Sequence, residues 1–494
     1  MTTPDPTAAL GRDRATSWLS TRPGPTGNGR WVLDPSSAQP LAWAAFDDTE
    51  SVDRIVTAAR NAFDHRDWRG LARRDRGRLL HRIAEAIDAN RVELAALQSL
   101  ENGKLFNESL SDDLPDTAEV FDYYAGWVDK IQGDTNPMDG SLINLTVREP
   151  VGACALVVPW NFPLLLAAWK LAPALAMGNT VVLKPSEFTP LATLRMIELI
   201  AESADLPDGV LQVVIGDGST GRSLVSHPAV SKVSFTGSTA VGRQILGAVA
   251  ATNLATVTLE LGGNAPNIVF DDVADLDSVI DRHATVLFAQ KGEKCTEPAR
   301  LLVQRGVHEQ AVERLVAHAT ALRCGPQFDP EATQGPQCTE AQFARIQRLV
   351  GAALDAGASL RCGGGPDPLA ATTGGWYFQA TVLDNVTADN PIDAEEVFGP
   401  VAKVSVFDTE DEAVALANGT PFGLAAGVNS GDLGRGRRVA SRLDAGQVFV
   451  NRYGCYDFAA PFGGFKASGW GKEMGRDSLA AYSRTKSIWV DTNP

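Results

Sequence analysis

Residues 151–187 read VGACALVVPWNFPLLLAAWKLAPALAMGNTVVLKPSE. An apolar run (151–158) ends in a loop fenced by Pro159 and Pro163, a helix-length segment follows (163–177), and a second apolar run (180–183, TVVL) closes the unit. The rhythm continues outward through 210–215 (VLQVVI), 232–235 (KVSF), 256–261 (TVTLEL) and 267–270 (NIVF), with helix-length segments at 189–204 and 239–250. Strands apolar on both faces and joined by helices make a parallel, doubly wound α/β sheet. The same alternation returns with strands expected at 300–303, 401–407, 424–428 and 446–450, so a second α/β domain is expected, with the hinge near 262–271.

A chain of 494 residues is long enough for two or three domains. Its 44 Lys and Arg against 60 Asp and Glu give a net charge of −16, which opposes general binding to nucleic-acid phosphates. The sequence contains no apolar run of the ~18–20 residues that would span a bilayer. Met1 to Arg22 lack the basic and apolar regions of a secretory signal. The six cysteines (154, 295, 324, 338, 362 and 455) are scattered, without zinc-type spacing, so no metal site is expected and a reducing cytoplasm is the expected compartment.

Residues 1–35, rich in Pro, Gly, Ser and Thr, read as an irregular arm. In 75–98, apolar residues recur at three- and four-residue steps among charges, an amphipathic stripe suited to packing on a core. Two extended runs fit neither domain, SLINLTVRE within 130–149 and TKSIWVD at 485–491; they pair with each other, offer an edge to a second subunit, or form a plain surface hairpin.

Several motifs carry chemistry. Gly216-Asp217-Gly218-Ser219-Thr220-Gly221 follows one strand, and Thr236-Gly237-Ser238 followed by Gly242 follows the next. Glycine lets backbone amides approach a pyrophosphate, and a helix N-terminus favours its charge. One such loop is weak, since any tight strand-to-helix turn favours Gly; two in succession point to a dinucleotide. Lys184 and Glu187 follow a strand end, where open sheets bind ligands; a surface ion pair is the plainer alternative. Asn161, between Trp160 and Phe162, has an amide that can donate into a cleft or cap a helix. Glu260 ends a strand, and Cys295 stands alone after a glycine turn, a plausible base and nucleophile. The neighbouring Lys294 would favour a thiolate, although a single Cys is more often a small buried hydrophobe.

In this order and spacing, PWNFP (159–163), GNTVVLKPSE (178–187), FTGS (235–238), ELGG (260–263), the Cys295 segment, EEVFGP (395–400) and PFGGFKASG (461–469) resemble the aldehyde dehydrogenase superfamily over nearly the whole chain. The match is closest to the NAD-linked branch that oxidises free aldehydes. The resemblance implies a Rossmann-like NAD-binding domain (1–129 and 150–261), a catalytic domain (262–478) and a small β oligomerisation flap (130–149 and 479–494). It implies Cys295 as nucleophile, Glu260 as the base that activates water, Asn161 as oxyanion donor with the Cys295 amide, and Lys170 with Glu473 on a proton path. Cofactor contacts would come from Val158, Pro159, Trp160, Lys184, Glu187, Gly218, Ser238, Glu396 and Phe398. NAD is expected, with NADP possible; the partners are an aldehyde and further copies of the chain, as homodimer or homotetramer. No metal is required, and neither nucleic acid nor membrane is an expected partner.

The segment around the nucleophile departs from the family pattern at Glu293, Lys294, Glu297 and Pro298, and the first glycine loop is one residue short. Two rival readings are a CoA-acylating aldehyde dehydrogenase, which would generally lack the Glu260 base, and a non-catalytic protein reusing the fold. The resemblance places Phe162, Leu166, Trp169, Tyr123, Tyr124, Trp127, Tyr453, Tyr456, Phe458 and Phe462 around the substrate. Such walls suit an uncharged aliphatic or aryl aldehyde. They would also suit a cationic one near Glu297, while Lys294 and Arg452 could recruit a carboxylate; the uncharged aldehyde is the expectation.

Overall fold

Pro163–Met177 is helical from end to end and wholly buried: Pro163 occupies the first turn, where its missing N–H costs nothing, and Gly178 ends the helix at φ 88°. Its neighbours Ala153–Val157 and Thr180–Lys184 pair in parallel. The computed structural model describes residues 6–493. In the first sheet the order is Gly469–Trp470, Thr256–Glu260, Val230–Thr236, Ala153–Val157, Thr180–Lys184, Leu211–Val213, parallel except at the first pair. The chain runs outward from Ala153–Val157 to Leu211–Val213, then crosses back to the other side. This reversal leaves a crevice beyond the carboxyl ends of Ala153–Val157 and Val230–Thr236.

The second sheet has the order Ser359–Cys362, Thr381–Asp384, Val401–Phe407, Arg300–Gln304, Pro266–Val269, Ala425–Asn429, Gln447–Val450, parallel except at its first pair. Both sheets carry fully buried central strands, as their continuous apolar runs require. Gly469–Trp470, which lies in the stretch assigned above to the second domain, pairs instead with Leu259 and Glu260 of the first sheet.

Ser483–Asp491 pairs antiparallel with Leu142–Pro150 over nine residues, so the two extended runs join. Ser483–Asp491 forms the outer edge of this small sheet and exposes Ile488, Trp489 and Val490.

Two features differ from expectation. The arm expected over 1–35 contains a helix, Pro6–Ser20, and the first strand of a hairpin, Gly29–Asp34 with Gln39–Ala45; residues 1–5 lie outside the described residues. The helix is held by tertiary contact: Trp18 is buried and donates to Glu198 at 2.8 Å, and a Cβ at Gly11 would meet the Val92 carbonyl at 2.8 Å. The stripe at 75–98 belongs to two helices, Arg73–Ala89 and Arg91–Asn102, broken at Asn90.

Candidate active site

The crevice at the strand reversal encloses about 330 Å³. Val158, Pro159, Trp160, Lys184, Glu187, Gly218 and Ser238 all line it. A Cβ on Gly218 would meet nothing within 4 Å, so the backbone there opens onto free space. The two glycine loops are not equivalent. The short helix Gly218–Val225 is capped by Asp217, whose carboxylate accepts from the Ser219 amide at 2.8 Å. The longer helix Thr239–Ala251 begins at Ser238, a neutral cap, and is the better seat for phosphate charge. Lys184 Nζ lies 3.8 Å from Glu187, and burial lowers its pKa.

Glu396 and Phe398 approach from the second domain. Glu396 Oε1 accepts from the Gly263 amide at 2.7 Å, and burial pushes its pKa up to about 7. A Cβ at Gly262 would stand 2.4 Å from the Glu396 carboxylate, so only glycine fits there. Phe398 sits at φ 57° and meets Trp160 edge-on at 5.3 Å. Gln342 holds that strained turn by donating to the Phe398 and Val397 carbonyls at 2.6 and 2.9 Å. An open glycine face, a neutral helix cap, an apolar floor and an acidic group at the ribose end fit NAD.

A second cavity of about 720 Å³ is lined by Cys295, Glu260 and Glu473 and shares Thr236 with the cofactor crevice. The Cys295 thiol is pushed up to about 12, first by burial and then by the charges of Glu396 and Glu260. The expected help from Lys294 is therefore corrected. Its Nζ turns away to the Val286 carbonyl, and burial brings its own pKa down to about 8. Sequence adjacency did not make it a neighbour of the sulfur.

Glu260 is buried, and neither carboxylate oxygen has a hydrogen-bond partner among the described residues. Burial and the nearby Glu473 raise its pKa well above the usual range. Lys170 is hydrogen-bonded to Glu473 and, at 3.2 Å, to Ser234, which itself lies 3.2 Å from Glu473. Asn161 donates one amide hydrogen to the Glu293 carbonyl at 3.0 Å, keeping the other available.

The departures around the nucleophile form a scaffold. Glu293 pairs with buried Lys291 at 2.9 Å and accepts from the Cys338 amide at 2.9 Å. Lys291, at φ 62°, also donates to the Asn102 carbonyl at 2.8 Å, and Asn102 donates to the Trp160 carbonyl at 2.7 Å. This chain ties the cysteine loop to the loop carrying Asn161. The sequence reading missed Lys291 because a lysine at a glycine turn looks like an exposed one. Glu297 is buried beside Lys294 and Lys403 and does not line the substrate cavity.

Of the aromatic set, Tyr123, Phe162, Trp169, Tyr456, Phe458 and Phe462 line the cavity, as does Leu166. Tyr124 is instead core, donating to the Gly475 carbonyl, and Tyr453 donates to that of Thr296. Trp127 and exposed Arg452 stand outside the lining.

A nucleotide crevice meeting a buried thiol and an unpartnered carboxylate is the arrangement of a dehydrogenase that works through a covalent intermediate. The aldehyde dehydrogenase family model matches residues 25–488, and the chain belongs to that family. It is similar to a mitochondrial aldehyde dehydrogenase of Sus scrofa, 44% identical over 93% of this chain and 87% of the relative. Retinal dehydrogenase 2 of Homo sapiens is 42% identical over 93% and 88%. A solved aldehyde dehydrogenase from Bacillus cereus in complex with NAD+ superposes with a TM-score of 0.92, at 38% identity and 94% coverage of both chains. The protein is thus an NAD-dependent aldehyde dehydrogenase with Rossmann-like and catalytic domains. No described helix is long and apolar enough to cross a membrane.

Proposed function

We propose that the chain oxidises a free aldehyde to its carboxylic acid through a covalent intermediate on Cys295. The observation that carries this reading is the meeting, at Thr236, of the NAD crevice with a cavity holding both Cys295 and Glu260. The resting group is a thiol, so its proton leaves as the aldehyde arrives, and Glu260, with two free oxygens and a raised pKa, is the acceptor in place. Sulfur adds to the carbonyl carbon, and the new alkoxide takes hydrogen bonds from the free Asn161 N–H and the Cys295 backbone amide. NAD, when bound, supplies the hydride acceptor that leaves a thioester on Cys295. Glu260 passes its proton towards Lys170 and Glu473, then takes one from water, which attacks the thioester and frees the acid and the thiol. A base poised for water favours hydrolysis over transfer to CoA.

Glu187 and Lys184 would bind the adenine ribose, and the Glu187 charge would repel a 2′-phosphate. In an aldehyde panel run with both cofactors, kcat/KM with NAD exceeds that with NADP. Glu187→Gln narrows the ratio about tenfold, one charge contact worth ~1.4 kcal/mol. A wild-type preference for NADP would overturn the assignment.

The exposed apolar edge Ser483–Asp491 is the proposed contact between copies, with 130–149 and 479–494 as the assembly flap. Light scattering should give a dimer or tetramer, and Trp489→Lys should shift it towards monomer; a wild-type monomer at working concentration would refute this. Six free cysteines favour a reducing compartment, the cytoplasm in this reading.

A further inference from the structure

The mouth of the substrate cavity is acidic in a way that the catalytic chemistry does not use. A π-type turn, Ser109–Asp113, runs into the helix Leu114–Ala125 and sets Asp112, Asp116 and Glu119 at i, i+4 and i+7 on the face that lines the cavity. Two other acids on this face are neutralised, Asp113 by Lys104 and Asp122 by His81 at 2.6 Å. Asp112, Asp116 and Glu119 have no ion pair or hydrogen bond to another group among the described residues. Asp116 is lifted to about 6, by partial withdrawal from water and then by the charges of Asp113, Glu119 and Asp112. Such crowding is what an uncompensated cluster shows, and an arriving cation relieves it.

Further in, the wall changes character. Trp169 stacks edge-on with Phe462 at 5.1 Å, and its Nε1 is a buried donor with no partner (the residue is 8% exposed). Tyr123, Phe162 and Phe458 complete aromatic sides on which a cation or its methylene chain can lie. The nearby cations are already engaged, Lys104 with Asp113 and Lys294 with the Val286 carbonyl.

We propose that the cavity selects aldehydes bearing a positively charged amine remote from the carbonyl, the cation held by Asp112, Asp116 and Glu119 and the chain by the aromatic walls. This rests on the dehydrogenase reading above and replaces the uncharged aldehyde expected from the sequence, which took no account of this rim.

The test compares 4-(trimethylammonio)butanal with 5,5-dimethylhexanal, its isostere with carbon in place of the charged nitrogen, and with anionic 5-oxopentanoate. At low ionic strength kcat/KM should favour the cation over the isostere by about tenfold or more, with the anion poorest. About 0.5 M salt should erase most of that ratio. The combined variant Asp112→Asn, Asp116→Asn, Glu119→Gln should bring the ratio close to one, each ratio being internal to one enzyme preparation. An isostere used as well as the cation, or a ratio insensitive to both salt and the three substitutions, would overturn this proposal alone. No NADH from these compounds or from hexanal would remove the dehydrogenase reading and this one with it.

Discussion

Cys295→Ala should form no measurable NADH from any aldehyde, a loss of about 10⁴-fold or more, the order seen when a nucleophile is removed from a catalytic unit. The residue lines the substrate cavity, not the crevice holding Lys184, Glu187 and Ser238, so NAD binding should persist. Trp160 lines that crevice, and quenching of its fluorescence on titration with NAD reads binding directly. Turnover within tenfold of the wild type would end the covalent mechanism. Loss of both turnover and NAD binding would point to a collapsed loop instead, a risk because Gly263 packs so tightly on the Cys295 carbonyl that a Cβ there would stand 2.0 Å away.

Glu260→Gln should separate the two halves of the reaction. The amide cannot take a proton from water, so deacylation should slow by about 10²–10⁴-fold. If another group can accept the thiol proton, rapid mixing shows one equivalent of NADH per site followed by a slow steady rate. If Glu260 alone serves both steps, the burst shrinks as well. In the wild type the base works only when ionised, and its pKa is raised, so the hydrolytic rate should fall as pH drops through that elevated value. The variant should lose this acidic limb. An unchanged steady rate at every pH would assign the proton to a different group.

The alternation of strand and helix was legible because it reflects burial on both faces, and Pro163–Met177 was read to its exact bounds by its proline start and glycine stop. Cys295, Glu260, Asn161 and the cofactor residues were legible as motifs, since glycine turns and strand ends are local. What depends on long-range contact was not. The helix Pro6–Ser20 has a weakly patterned sequence and is settled by the contacts of Trp18 and Gly11 with distant helices. Lys294 adjoins the nucleophile in sequence yet points to Val286, because a side chain's direction is set by the turn that carries it. Asp112, Asp116 and Glu119 look like an ordinary solvated helix face until the cavity opens beside them.

The two cavities meet at Thr236, and their linings otherwise share no residue. Such a layout is a corridor with a door at each end rather than a single vestibule. Traffic through the two doors is independent, so a bulky aldehyde need not wait for the nucleotide to depart. The carboxylate made at the sulfur can leave by the acidic door, whose like charge hastens it outward, while the spent nucleotide leaves by the other. The rim that draws in a cation thus also expels the anionic end of the product, giving the passage a direction.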